Sequence, residues 1–327
     1  MRYNFNKLFI YLLAVTLTLL LMLGCGEKAR EKNTLTIAHQ YGACYLPIYV
    51  MQEQKLLEQA VGSKVVVKYL LLASGSAINE AVIAGNVDIA CIGSPPFFIG
   101  LEKGVPYKIA ANSGAQPIGL NVNNPEVRTL ADLKPNSKIA APSPGSIQHI
   151  VLCMAAEKEL GDPKALDSMI IAMAHPEAAQ ALISGTIDGH LASTPLIFSE
   201  LNYENIHALP SVLTAVPAGT SIAVSAVTEK LYKDHRELYD AFVKAIKHAT
   251  DFINSNPSEA AAILAKHTGE DQANVEEYLQ HERSVFSYIP QGVEDVGVFM
   301  ARINLLKSAP TPEQIYHEDL LQAIKSK

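Results

Sequence analysis

The chain has 327 residues, 49% of them hydrophobic, with 26 Lys and Arg against 33 Asp and Glu for a formal net charge of −7. A mildly acidic surface without a basic tract argues against nucleic acid as a partner. Cys44, Cys91 and Cys153 sit at irregular spacings that make neither a disulfide framework nor a paired-cysteine metal site, so they read as buried thiols.

Residues 1–24 read as an address segment. Arg2 and Lys7 give a positive start, and residues 8–22 an apolar run of 15. That run is short for a membrane span, which needs about 20 apolar residues. Met22-Leu23-Gly24-Cys25 resembles a bacterial lipobox, with Met22 and Leu23 standing where Leu and a small residue are usual. Cys25 is therefore the expected lipidation site and residues 25–33 a charged tether. The expected location is the cell envelope, with a lipid anchor holding the protein to a membrane outside the cytoplasm. Removing Arg2 and Lys7 takes the charge to −9. Roughly 300 residues remain, enough for two lobes.

Residues 34–39 predict a strand, 44–58 a helix and 64–72 a second strand. The stretch 74–106 is the centre of the first unit. Ser76 is the expected N-cap of a helix carrying Ala77, Ile78, Ala81 and Val82, and Gly85 its left-handed stop. Val87, Ile89, Cys91 and Ile92 make a strand buried on both faces, and Ser94-Pro95-Pro96 opens a helix in which Phe97 and Phe98 read as core. A further strand at 107–111 leads to Asn112-Ser113-Gly114. Residues 121–135 are polar and turn-rich, a passage into a second unit. There the expected order is strand 139–141, a helix from Ile147 to about Gly161, strand 167–174, helix 177–184, strand 187–191 and Ser193-Thr194-Pro195. Residues 210–220 form the return crossing and 221–227 a strand of the first sheet. Helices at 234–254, 258–267 and 271–278 and a tail complete the chain. Alternating strands and helices predict parallel α/β sheets with right-handed crossovers.

The second unit repeats the first. Ala81, Ile83, Gly85, Asp88 and Pro95 recur without a gap as Ala181, Ile183, Gly185, Asp188 and Pro195, 100 positions later. Two related α/β lobes, each delivering a hydroxyl-Pro loop to one place, are the simplest reading.

In open parallel sheets, ligands gather beyond the carboxyl ends of the strands. The loops expected there supply the candidate ligand-binding residues Gln40, Tyr41, Gly42, Ser74, Gly75, Ser76, Ser94, Pro95, Asn112, Ser113, Ser143, Gly145, Ser146, Ser193 and Thr194. Several lead into helix starts, whose free N–H groups and positive dipole end favour an anionic or acceptor group. His39, His149 and His190 fall on the same side. Their spacing fits no metal motif, so no metal is expected, and His149 is the preferred ligand contact. His175, before Pro176, reads as a turn residue. Tyr41 or Tyr45 is placed to cover a ligand, and Asp88 and Asp188 read as structural. No catalytic signature is present and no cofactor is expected.

IYVMQEQKLLEQ, SGSAINEAVIAGNVDIACIGSPPFFIGLEKGVPYKIAA, TLADLKPNSKIAAPSPGS, HPEAAQALISGTIDGHLASTP and NPSEAAAILAKHTG together resemble the nitrate/sulfonate/taurine-type substrate-binding proteins of ABC importers. The resemblance covers nearly the whole chain after the leader. It implies a type II periplasmic-binding fold of two α/β lobes and two hinge crossings; along this chain the expected bounds are lobe 1 from residues 34–120 plus 219–327 and lobe 2 from residues 121–218, with Asn121–Val122 and Pro217–Thr220 as the expected hinge strands. It also implies a monomer that clamps a small molecule and docks on an ABC permease and ATPase. By position it points to Gln40, Tyr41, Ser76, Ser94, Ser113, Ser146 and Thr194. These loops hold no Arg or Lys and the chain no Trp, so a heterocyclic ligand stands beside the favoured sulfonate or small oxyanion. A ligand-reading sensor or adaptor is a further alternative. An enzyme on this fold is disfavoured, because the related pyrimidine-precursor synthases carry a Cys-rich iron motif absent here.

Overall fold

The computed structural model describes residues 33–326. The address segment and Cys25 lie outside the described residues. Among those described, no helix is long and apolar enough to cross a membrane. The strands are β1 (Thr34–His39), β2 (Val66–Leu71), β3 (Ile89–Gly93), β4 (Tyr107–Gly114), β5 (Ile118–Val122), β6 (Ile139–Ala141), β7 (Ile170–Ala172), β8 (Gly189–Ser193), β9 (His207–Leu209) and β10 (Ala223–Thr228). They form two five-stranded sheets, ordered β2-β1-β3-β10-β4 and β7-β6-β8-β5-β9.

Each sheet has the parallel pairs the alternation predicts, β1 with β2 and β3, and β6 with β7 and β8. Each also has one strand whose sense the alternation does not predict. In the first, β10 runs antiparallel to β3 and β4; in the second, β5 runs antiparallel to β8 and β9. Both strands arrive directly from the other sheet, which explains their reversed sense. The first passage lies between Gly114 of β4 and Ile118 of β5. It therefore precedes Asn121–Val122, which sit inside β5 and not in a hinge. The return spans the residues between Leu209 and Ala223.

The repeat is visible as structure. Helices Gly75–Ile83 and His175–Ile183, and strands β3 and β8, begin and end at the same offset of 100. Gly85 and Gly185 end the helices at φ 73° and 74°, a backbone that L side chains rarely adopt. Asp88 Oδ2 accepts from Thr36 N at 2.9 Å and Asp188 Oδ2 from Lys138 N at 2.8 Å, so each carboxylate ties its strand to the one beside it. Both are structural, as the sequence suggests.

Local departures have local causes. The helix expected at 44–58 is split into Leu46–Glu53 and Leu56–Val61 by Lys55, whose φ of 52° is left-handed. Ser74, not Ser76, caps the next helix, accepting from Ala77 N at 3.2 Å; Ser76 is exposed on its first turn. The strand expected at 167–174 shortens to β7 because Asp167–Met169 form a 3-10 turn. Phe97 and Phe98 are fully buried core residues, with Phe97 stacked on Tyr107 at 5.0 Å. The tail is ordered, with helices Val293–Arg302, Pro312–Ile315 and Glu318–Lys325.

Candidate ligand-binding cleft

The carboxyl ends of the two sheets face one narrow cavity. Gln40, Tyr41, Cys44, Tyr45, Gly75, Gly93, Pro96, Ile222 and Ala223 line it from the first lobe. Ser146, Ile147, Gln148, His175 and Ser193 line it from the second. The space left is ≈ 20 Å³, room for about one water. The lobes are thus closed on each other, and a larger guest requires them to part.

Helix starts dominate the walls. Gly75 opens Gly75–Ile83, Pro96 lies in the first turn of Ser94–Glu102, Ile147 opens Ile147–Leu160 and His175 opens His175–Ile183. Ser146 caps its helix, accepting from His149 N at 3.3 Å. Backbone fit explains the glycine at 75: a Cβ there meets Pro96 Cγ at 2.5 Å. The lobes touch through main chain as well, since Ala43 N donates to Thr194 O at 2.8 Å. Further out, Ser199 Oγ donates to Glu270 Oε1 at 3.1 Å, Phe198 stacks on Tyr278 at 4.8 Å, and Arg302 grips Glu157 with both terminal nitrogens.

Of the residues expected from sequence, Gln40, Tyr41, Gly75, Ser146 and Ser193 meet at the cavity. Gly42 faces Ser193 Oγ and Thr194 O across the lobe junction. The hydroxyls of Ser94, Ser143 and Thr194 are buried without a hydrogen-bond partner among the described residues. Pro95 is buried in the same helix start as Ser94. Others are spent inside their own lobe. Ser113 Oγ bonds Ser225 Oγ at 2.8 Å, and Asn112 Nδ2 donates to Ser287 O at 2.8 Å.

The histidines are sorted differently from the sequence reading. His149 Nδ1 accepts from Gly145 N at 2.9 Å, which leaves its proton on Nε2 to donate to Asp167 Oδ1 at 2.9 Å. Both nitrogens are used inside its own lobe, and His149 is not among the residues that line the cavity. Cys153, His149 and Asp167 lie together, but this protonation gives a hydrogen-bonded pair and no lone pair on Nε2 for a metal. His39 bonds Gln40 O at 3.1 Å and packs on Tyr49, so His39, His149 and His190 do not converge. Burial holds the His39 pKa down at about 4.

His175, read from sequence as a turn residue, is the imidazole at the cavity. Its Nε2 meets Gln148 Nε2 at 3.0 Å and Ser193 Oγ at 3.3 Å. Its Nδ1 meets His190 Nε2 at 2.8 Å, and His190 Nδ1 meets Glu200 Oε1 at 2.5 Å. Asn121 Nδ2 donates to Glu200 Oε2 at 2.8 Å. The chain is buried throughout, with His190 at 0% and Glu200 at 1% exposure. Burial, then the neighbouring His190, pushes the His175 pKa well below the usual histidine value. A signal was present in the repeat: His175, His190 and Glu200 stand where the first unit has Gly75, Ala90 and Gly100.

A model of the NMT1-like family matches residues 28–268, most of the chain. The chain belongs to the NMT1-like family. No curated protein sequence matches it. Among solved structures it is similar to a ligand-binding component of an ABC-type import system from Staphylococcus aureus with zinc bound (15% identity, TM-score 0.74, covering 89% of this chain and 98% of that one). It is also similar to the alkanesulfonate-binding protein of Xanthomonas axonopodis pv. citri bound to MOPS (17%, TM-score 0.69, 89% and 98%). A third is the periplasmic nitrate-binding protein of Synechocystis PCC 6803 (14%, TM-score 0.70, 90% and 89%). At these identities the likeness shows the fold. This NMT1-like chain has the type II periplasmic-binding-protein fold, two α/β lobes joined by two crossings.

Proposed function

We propose that the protein is an extracytoplasmic solute-binding lipoprotein of an ABC importer, anchored through Cys25, that closes its lobes on one small molecule and hands it to a membrane permease coupled to an ATPase. The observation that carries this is the cavity walled by both lobes, with helix starts from each half facing it. Helix starts offer donors and positive dipole ends, so the guest presents an acceptor or oxyanion edge to them. The structurally similar alkanesulfonate and nitrate binders support a guest with such an edge. The buried hydroxyls of Ser94, Ser143 and Thr194 support it too, since an unpartnered buried polar group costs about 1–3 kcal/mol and a guest at the lobe junction relieves it. The two lobes, joined by the passages at 115–117 and 210–222, move about those crossings, and the bound form is favoured by contacts only the closed state makes.

A thermal-shift screen of sulfonates, nitrate, taurine, pyrimidines and flavins identifies the compound class. Tyr41→Ala on one lobe and Gln148→Ala on the other should each weaken the same compound at least tenfold. If only one of the two substitutions matters, a single lobe binds alone and the clamp is wrong.

A further inference from the structure

We propose that the tail segment 283–291 is a strap that sets the hinge: it seats both crossings on the first lobe, and Arg283 confines the bend of the return crossing to one peptide. This rests on the clamp reading above and adds the device that governs its motion.

The two crossings carry one pattern. Ala115-Gln116-Pro117-Ile118-Gly119 recurs at the offset of 100 as Ala215-Val216-Pro217-Ala218-Gly219, with Ala, Pro and Gly shared at alternate positions. Proline has no N–H, so a chain leaving its sheet there gives up no donor, and its fixed φ limits the direction of the turn. Each crossing thus has a corner built in at its proline.

The strap lies between helices Gln272–Leu279 and Val293–Arg302 and is tied to the first lobe. Asn112 N and Nδ2 donate to Tyr288 O and Ser287 O, both at 2.8 Å, and Asn254 Nδ2 donates to Phe286 O at 3.1 Å. From this seat it holds the first crossing up to its proline. Ala115 N donates to Val285 O at 3.1 Å and Val285 N to Ala115 O at 2.8 Å. The Ser284 hydroxyl shares its proton between Gln116 Oε1 at 3.0 Å and Tyr278 O at 3.2 Å. Beyond the corner, Ile118 already pairs with Ser193 in the second sheet. The return crossing is held in the same way. Ser221 N donates to Gln291 O at 2.8 Å, Gln291 N donates to Ser221 Oγ at 2.9 Å, and the Arg283 guanidinium donates to Val216 O.

The residue before Val216 is held by the other lobe. Lys158, in helix Ile147–Leu160, donates from Nζ to Ala215 O at 2.8 Å. Two adjacent carbonyls are therefore gripped by cations from opposite lobes, and one peptide is left to turn between them. Without Arg283 the first-lobe anchor retreats to Ser221, and residues 216–220 come free. A longer free segment samples more angles and costs more conformational entropy to close.

The test reads the strap with no guest present. Spin labels are carried at Glu80 and Gln180, exposed residues on the two paired helices, by a ketone-bearing amino acid that spares the buried thiols. Pulsed dipolar spectroscopy on the chain from Asn33 then gives the spread of lobe separations. Arg283→Met keeps the apolar stem and removes the donors. The spread should grow about twofold, as the square root of the free length. Hydrogen exchange reads the coupling: the amides of Ala115, Val285 and Ser221 should all exchange about tenfold faster in Arg283→Met, while β10 keeps its rates. Faster exchange at Val285 with Ser221 unmoved shows that the strap does not join the crossings, and an unchanged spread shows that it does not set the hinge. Either result overturns the proposal, as does a uniform rise through β10, which marks general loosening. Ser284→Ala, which loosens the first crossing, should broaden the spread too, and it decides the matter if Arg283→Met does not fold. A broadened spread in a protein that no compound in the screen compacts sinks only the clamp. An unchanged spread in a protein that does compact sinks only the strap.

Discussion

Three buried histidines make the fold sensitive to acid. Burial lowers His39 and His317 to about 4 and His175 well below its usual value. The unfolded chain binds a proton on each near pH 6.5, while the folded chain does not. Stability is therefore full above pH 6.5 and falls as pH drops toward 4. Between pH 7 and pH 5 each ring that stays neutral should cost about 2 kcal/mol, read as a lower urea midpoint. An equal or higher midpoint at pH 5 contradicts this. Packing at Gly75 gives a second residue-scale expectation. Gly75→Ala drives a Cβ against the rigid Pro96 ring and should cost about 1–3 kcal/mol in urea unfolding; an unchanged midpoint refutes the close approach. Single residues were also where the sequence was least legible. His149 and His175 look alike in sequence, and which one reaches the cleft depends on Asp167 and Glu200, both brought in by the fold.

Elements were legible where period and punctuation agree. β1, β6 and the helix Ile147–Leu160 come out as the pattern predicts, the helix because Ser146 caps its start and a glycine stops its end. That glycine is Gly161, at φ 76°. β5 was not legible: Ile118–Val122 is short and runs directly into a polar stretch, and its strand character comes from pairing with β8 and β9. The antiparallel sense of β5 and β10 is equally a property of the crossing. Capping is decided by geometry over two residues. Ser74→Ala should cost about 1 kcal/mol, whereas Ser76→Ala should stay within about 0.5 kcal/mol, each measured by chemical denaturation. Reversed magnitudes would show that the helix starts at the later serine.

At the scale of the whole molecule, two lobes and their common cleft were readable from the repeat, since equal offsets in sequence became equal offsets in structure. How tightly they close was not. Closure depends on contacts between distant residues, such as Ala43 with Thr194 and Arg302 with Glu157. The Arg302–Glu157 pair is largely solvent-exposed, so it trims the balance between open and closed forms without fixing it. With room for about one water inside, the two lobes lie closed on each other in this structure.

Small-angle X-ray scattering on the chain from Asn33, alone and with the compound giving the largest thermal shift, tests the clamp most directly. Alone, the protein should scatter as a more extended particle than the closed form. With saturating compound the radius of gyration should shrink to the closed value. A profile that already matches the closed form and does not move with the compound would rule out lobe closure as the binding event.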